Sequence, residues 1–100
     1  MSDTITKTRT TTNTITREPG KFKVVAYNDD KTPIEFVIAM LVGIFRHSED
    51  AAVDITMKIH NEGKGTAGVY TYEVAEQKGV EATNFARKEG HPLVIKVEAE

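Results

Sequence analysis

Within about ten residues the chain's hydrophobic period changes from that of a strand to that of a helix, and the residues at the change fix how it happens. Phe22-Lys23-Val24-Val25-Ala26-Tyr27 is a β-branched and aromatic run that reads as a strand. It stops at Asn28-Asp29-Asp30, whose short polar side chains favour a turn. Thr32-Pro33-Ile34-Glu35 then has the form of a capping box, with Thr32 as N-cap, Pro33 at the first helical position and Glu35 at the third. Ile34, Val37, Ile38, Leu41, Ile44 and Phe45 continue at the three-or-four spacing of one helical face.

Ser48, followed by Glu49 and Asp50, is placed to cap a second helix with the stripe Ala52, Ile55, Ile59, and Gly63 can end it in the left-handed conformation. These two helices should form a hairpin. Gly68-Val69-Tyr70 reads as a short strand, and Thr71 with Glu73 opens a third helix carrying Ala75, Ala82, Phe85 and Ala86 up to Gly90. The last segment, Leu93 to Glu98, alternates Leu93, Ile95 and Val97 on one face with more polar residues on the other. The order βααβαβ predicts an α+β two-layer sandwich: a three-stranded antiparallel sheet with three helices covering one face, so that each element buries its apolar side.

A chain of 100 residues with 39% hydrophobic residues can build one modest core. It contains no cysteine, which rules out disulfides and thiolate metal sites. No run approaches the roughly 18 apolar residues of a membrane span, and no apolar stretch marks a secretory signal. The expectation is a cytoplasmic protein with no membrane partner. Residues 1–17 carry a formal charge of +2, so the remainder carries −4 of the net −2. An acidic body argues against nucleic acid as partner, because clustered Lys and Arg supply most of that affinity.

Residues 1–20 are expected to be a disordered Thr-rich extension and 21–100 the domain, with Pro19-Gly20 as the break. Eight of the first 17 residues are threonine, with only Ile5 and Ile15 as sizeable apolar anchors after Met1, too little burial to offset ordering entropy. The alternation from Thr4 to Arg9 would also suit an edge strand.

Asp29, Asp30, His60 and His91 are of metal-ligating type but have none of the tight recognised spacings. Adjacent aspartates in a strand-to-helix connection more often hold a turn or face the positive end of the helix. Gly63-Lys64-Gly65-Thr66 lacks the first glycine of a phosphate loop and follows a helix, so it reads as a helix stop feeding a turn. No serine elbow and no cysteine nucleophile exist, so no catalytic constellation is assigned. His60, one past Ile59, would by itself simply suit a helix C-terminus.

Five short motifs, taken in order, resemble the ClpS family, adaptors that carry proteins with destabilising N-terminal residues to a Clp unfoldase and protease. They are Asn28-Asp29-Asp30; Thr32-Pro33-x-Glu35-Phe36-Val37; His60 with Gly63-Lys64-Gly65; Gly68-Val69-Tyr70-Thr71 with Glu73-Val74-Ala75-Glu76; and Glu89-Gly90-His91-Pro92-Leu93. The resemblance spans about Lys21 to the last strand and implies the same element order.

It further implies a peptide-binding adaptor without catalysis or cofactor. Asn28 and His60 would hydrogen-bond a substrate's α-amino group, with Asp29 adding negative charge. Asp30, Thr32, Ile34, Val37, Thr56, Ile59 and Leu93 would line or rim a pocket for a first residue such as Phe, Tyr, Trp or Leu. Glu73 and Lys78 would dock on the N-terminal domain of the Clp AAA+ unfoldase, and residues 1–20 would serve delivery. Ile34 and Thr56 replace methionines common in the family, and the extra width at Thr56 should favour aromatic residues over Leu. The competing identity is another interaction module, since the C-terminal domain of the ribosomal stalk protein shares the element order but has no use for an α-amino clamp. A third class, a small metal-dependent enzyme, would require bound metal.

Overall fold

The central strand of the sheet is the run at which the chain's first period change occurs. In the computed structural model, which describes residues 20–100, β1 (Phe22–Tyr27) pairs antiparallel with β2 (Lys64–Tyr70) on one side and β3 (Val94–Ala99) on the other, giving the order β2-β1-β3. The helices are α1 (Ile34–Gly43), α2 (Glu49–Glu62) and α3 (Tyr72–Lys88). The fold class and element order expected from the sequence are those observed. The readings of the N-terminal extension and of an edge strand near Thr4 lie outside the described residues.

Strand pairing sorts the two faces of the sheet. Val24 and Ala26 sit opposite Val97 and Ile95 and join the core with residues of all three helices. Lys23, Tyr27, Lys96 and Glu98 lie on the outer face, where the Tyr27 hydroxyl donates to the Glu98 carboxylate and the ammonium groups of Lys64 and Lys96 lie 5.7 and 5.5 Å from the centre of the Tyr27 ring. α3 approaches the sheet through small residues, Ala75, Gly79, Ala82 and Ala86, all buried. A Cβ at Gly79 would stand 3.4 Å from Val97 Cγ2, so the helix is already at contact distance.

The register shifts between Val24 and Val25, because Ala67 is an extra residue on β2. Ala67 is buried, and its carbonyl meets His47 Nε2 from the α1–α2 connection. β2 therefore begins at Lys64, earlier than Gly68, and Gly63-Lys64-Gly65 is a helix stop that enters a strand without an intervening turn. Its glycine-rich first half has little intrinsic strand preference and is recruited by pairing with β1.

The end of α1 differs from expectation. α1 ends at Gly43, with Ile44 as C-cap and Arg46 in the left-handed region (φ 64°), and its buried face is Phe36, Val37, Met40 and Leu41, continued by Ile44 and Phe45. Ile34 is exposed and Ile38 half-buried. The segment from Ile34 to Phe45 is apolar almost throughout, so several stripes share helical spacing, and packing selects among them. Phe36 is the anchor: its ring lies 4.7 Å from that of Phe85 on α3 and 4.7 Å from that of His91. On α2, Ser48 Oγ accepts from Ala51 N at 3.1 Å and Gly63 takes φ 91°, both as expected.

Gly65 is the tightest point of the helix-to-sheet packing, where a Cβ would fall 2.8 Å from Ile59 Cγ1. Gly65→Ala should therefore lower the urea midpoint at unchanged m-value, corresponding to about 1–3 kcal/mol of overpacking. An unchanged midpoint would show that α2 can move away from β2 at no cost.

Candidate functional site

One corner of the molecule gathers three chain segments: the β1–α1 loop, the last turns of α2 and the entry to β3. Asn28 follows the last residue of β1, and its N–H donates to the Gly63 carbonyl at 2.9 Å. That bond holds the loop against the C-terminus of α2, where His60 stands in the last turn. Asn28 and His60 are both exposed, so their side-chain acceptors are open to a ligand.

The loop is shaped by Asp29. Its Oδ1 accepts the N–H of Lys31 at 2.8 Å and of Thr32 at 2.7 Å, and its Oδ2 accepts the Thr32 hydroxyl at 2.9 Å. Partial burial raises its pKa and is the largest single influence. The three donors and the nearby His91 together outweigh it, leaving the carboxyl below its ordinary value. This bonding corrects the capping-box reading, because Thr32 turns its hydroxyl to Asp29 and Pro33 is the N-cap, without a side-chain cap bond. The Pro33 carbonyl instead receives Phe36 N and Val37 N, which starts the helix one residue later. Asp29 thus acts first as the loop's internal scaffold, with its charge remaining beside Asn28.

The other candidate residues divide into a rim and a floor. Asp30 and Ile34 are exposed, Ile34 to 42%, and Thr32 is half-buried. Val37, Thr56, Ile59 and Leu93 are buried, and Val37, Ile59 and Leu93 belong to one hydrophobic cluster. Thr56 lies three residues before Ile59 and four before His60, so all three share one side of α2. Its Oγ1 is the one buried side-chain polar atom without a hydrogen-bond partner among the described residues. Leu93 is held by Arg87, whose Nη1 donates to the carbonyls of His91 at 2.9 Å and Leu93 at 2.8 Å. Arg87 was not singled out in the sequence, although a cation in the last turn of a helix is a known carbonyl partner.

The chemistry available is recognition: exposed oxygen and imidazole acceptors beside a carboxylate can take a group rich in donors. Among the described residues no three His, Cys, Asp or Glu side chains are grouped to hold a metal ion, and no helix is long and apolar enough to cross a membrane.

On α3, Glu73 is exposed in the first turn. Lys78 is half-buried: its ammonium donates to the Ile44 carbonyl at 2.8 Å and lies 5.8 Å from the centre of the Tyr70 ring. It ties the end of α1 to α3, so a substitution there would also loosen the fold.

A family model described as ATP-dependent Clp protease adaptor protein ClpS matches residues 17–96. The ATP-dependent Clp protease adapter protein ClpS of Maricaulis maris is 44% identical over 91% of this chain and 84% of its own length. That of Deinococcus radiodurans is 42% identical over 94% of this chain and 83% of its own. Among solved structures, Agrobacterium tumefaciens ClpS2 bound to L-phenylalaninamide superposes with a TM-score of 0.80 at 38% identity, covering 83% of this chain and all of that one.

Asp29 ties loop geometry to pH. Because its folded-state pKa is depressed, its stabilisation is complete above the unfolded value of about 3.9 and is lost as pH falls through the lower folded value. Asp29→Asn should flatten that acid limb when urea midpoints of the two proteins are followed from neutrality into acid. Parallel curves would show that the carboxylate is not coupled to folding.

Proposed function

Given that the chain belongs to the ClpS family of ATP-dependent Clp protease adaptor proteins, we propose that it binds proteins by a bulky hydrophobic N-terminal residue (Phe, Tyr, Trp or Leu) and delivers them to a Clp AAA+ unfoldase. The adaptor does no chemistry itself. The observation that supports this reading is the pinning of Asn28 to the end of α2 by the Gly63 carbonyl, with Asn28 and His60, in the last turn of that helix, both exposed. An α-ammonium has donors only, and these groups supply acceptors. Asp29 adds a fixed negative charge that favours the ammonium.

L-phenylalaninamide, the ligand of the Agrobacterium tumefaciens relative, has a free α-amino group, an aromatic side chain and an amide where a peptide bond would follow. It is the smallest imitation of an N-terminal phenylalanine. In this chain the first side chain would enter beside Val37, Thr56, Ile59 and Leu93, with Asp30, Thr32 and Ile34 at the rim. Burying a large side chain there contributes about 1.5–3 kcal/mol. With threonine at position 56 and β-branched Ile34 at the rim, aromatic residues are favoured over Leu. Family membership also sets aside the ribosomal-stalk reading, since the stalk domain would give the Asn28 and His60 acceptors no role.

The delivery surface is proposed to include Glu73 and Lys78, docking on the N-terminal domain of the unfoldase. Glu73 is the cleaner probe, because Lys78 is engaged with the Ile44 carbonyl. Residues 1–20 would supply the segment used in delivery.

Fluorescence anisotropy with labelled peptides beginning with Phe, Tyr, Trp, Leu or Ala tests the recognition step. Free bulky termini should bind, Ala should not, and N-acetylation of Phe should abolish binding. Asn28→Ala and His60→Ala should each weaken binding by roughly tenfold or more, the scale of a hydrogen bond to a charged group. Leu peptides binding more tightly than Phe peptides would refute the pocket's aromatic preference, and equal failure of all peptides on folded protein would refute the site.

A further inference from the structure

The two edges of the sheet differ in how they meet solvent. On β2 the edge is interrupted, because Ala67 is an extra residue and its carbonyl meets His47 Nε2. Bulges and covered groups of this kind keep an edge from pairing with another chain. The β3 edge has neither. Val94 to Ala99 pair with β1 without a register shift, and among the described residues no strand lies on the other side. Such an edge offers its outward N–H and C=O groups to a further strand.

The helical layer is open along the same edge. A cavity of about 260 Å³ lies between α3 and β3, with Glu76, Val80, Asn84, Ile95 and Val97 in its lining. Ile95 and Val97 are only half-buried, and Val80 is 56% exposed, more than any other large hydrophobic residue among those described. Gly79, the neighbour of Val80, is level with Val97, since a Cβ on it would stand 3.4 Å from Val97 Cγ2.

The charges on β3 select what fits there. Lys96 and Glu98 share the outer face, with Val97 between them on the inner one. Let the strand pair antiparallel with a second copy of itself about a two-fold axis at Val97. Lys96 of each copy then stands opposite Glu98 of the other, and the two Val97 residues meet. The Tyr27 hydroxyl occupies Oε2 of Glu98 and leaves Oε1 for that pairing. An axis one residue away, at Lys96 or at Glu98, sets like charges directly opposite each other, which is destabilising. The axis at Val97 is also level with Gly79, so Val80 of one α3 faces Val80 of the other across the opening. Strand and helix are self-complementary about one axis.

We propose that the β3 edge and the groove beside α3 form an interface with a second copy of this chain, joining two three-stranded sheets into one of six strands. A strand with one lysine and one glutamate on the same face satisfies itself when turned end for end, and the exposed valine beside it is covered by its own symmetry mate. Because the interface is confined to one strand edge and one side of a helix, the dimer belongs to the weak, concentration-dependent class of association.

Sedimentation velocity of the full chain from about 1 μM to about 1 mM, the range of weak association, should show monomers passing into dimers. Lys96→Glu should raise the dimer Kd roughly tenfold, because both cross-strand pairs become repulsive, and the double variant Lys96→Glu/Glu98→Lys should restore it with the signs exchanged. The chain has no cysteine, so a single introduced thiol reports one position. Val80→Cys should oxidise to a disulfide-linked dimer faster than Val69→Cys, at an exposed position of β2, with circular dichroism showing that both variants are folded. A chain that stays monomeric to about 1 mM, as it would if its own N-terminal segment or a different protein covered this edge, overturns the proposal. A dimer indifferent to Lys96→Glu, or equal oxidation of the two cysteine variants, overturns it as well.

Discussion

The turn from α2 into β2 sets the position of almost everything else. Gly63 ends the helix in the left-handed region, and its carbonyl takes the N–H of Asn28. Two residues later Gly65 pairs with Ala26 and leaves the space that Ile59 fills. A side chain at Gly65 would push α2 off the sheet. A non-glycine residue at Gly63 would be strained in its conformation. The reversal is thus tight because glycine occupies both positions, and its tightness brings the last turn of α2 to the β1–α1 loop. The proposed recognition rim depends on how the chain turns there.

Close packing by small residues does the same for α3. Ala75, Gly79, Ala82 and Ala86 let the helix lie on the central strand, with larger groups at its margins: Phe85 against Phe36, and Lys78 reaching the end of α1. Phe36 and Arg87 then fix the approach to Leu93 from two sides, one by packing against His91, the other by gripping two carbonyls. Val37, Ile59 and Leu93, the apolar residues of the proposed floor, are in this way part of the main core. Only the rim residues Asn28, Asp30, Ile34 and His60 stand clear of it.

Polar groups in this region are used in opposite ways. Asp29 is fully engaged with its own loop, and its depressed pKa reflects donors that outweigh burial. Thr56 is buried and engaged with nothing. A satisfied carboxylate rigidifies its loop, while an unsatisfied buried hydroxyl is a cost that the surrounding packing has to offset. The hydroxyl is particular to a chain with threonine at position 56.

The β-branched run of β1, the alternation of β3, the Ser48 cap, the Gly63 stop and the order βααβαβ were all legible in the sequence, because each is a local preference of a few neighbouring residues. The motifs around Asn28 and His60 also led to the family, since their order along the chain is itself specific. Three features were not legible. The buried stripe of α1 was ambiguous because the segment from Ile34 to Phe45 is apolar on nearly every side, and only the rings of Phe85 and His91 select Phe36. The first half of β2 looked like a turn because its strand conformation comes from pairing with β1 and from the extra residue Ala67. The start of α1 resembled a capping box because spacing cannot say whether a threonine hydroxyl will meet the helix or an aspartate three residues earlier. Local chemistry determined which segments are strand, helix or stop. Long-range packing decided which faces are buried, where Asn28 meets the end of α2, and that Thr56 is left with an unanswered hydroxyl, because each of these depends on partners distant in the chain.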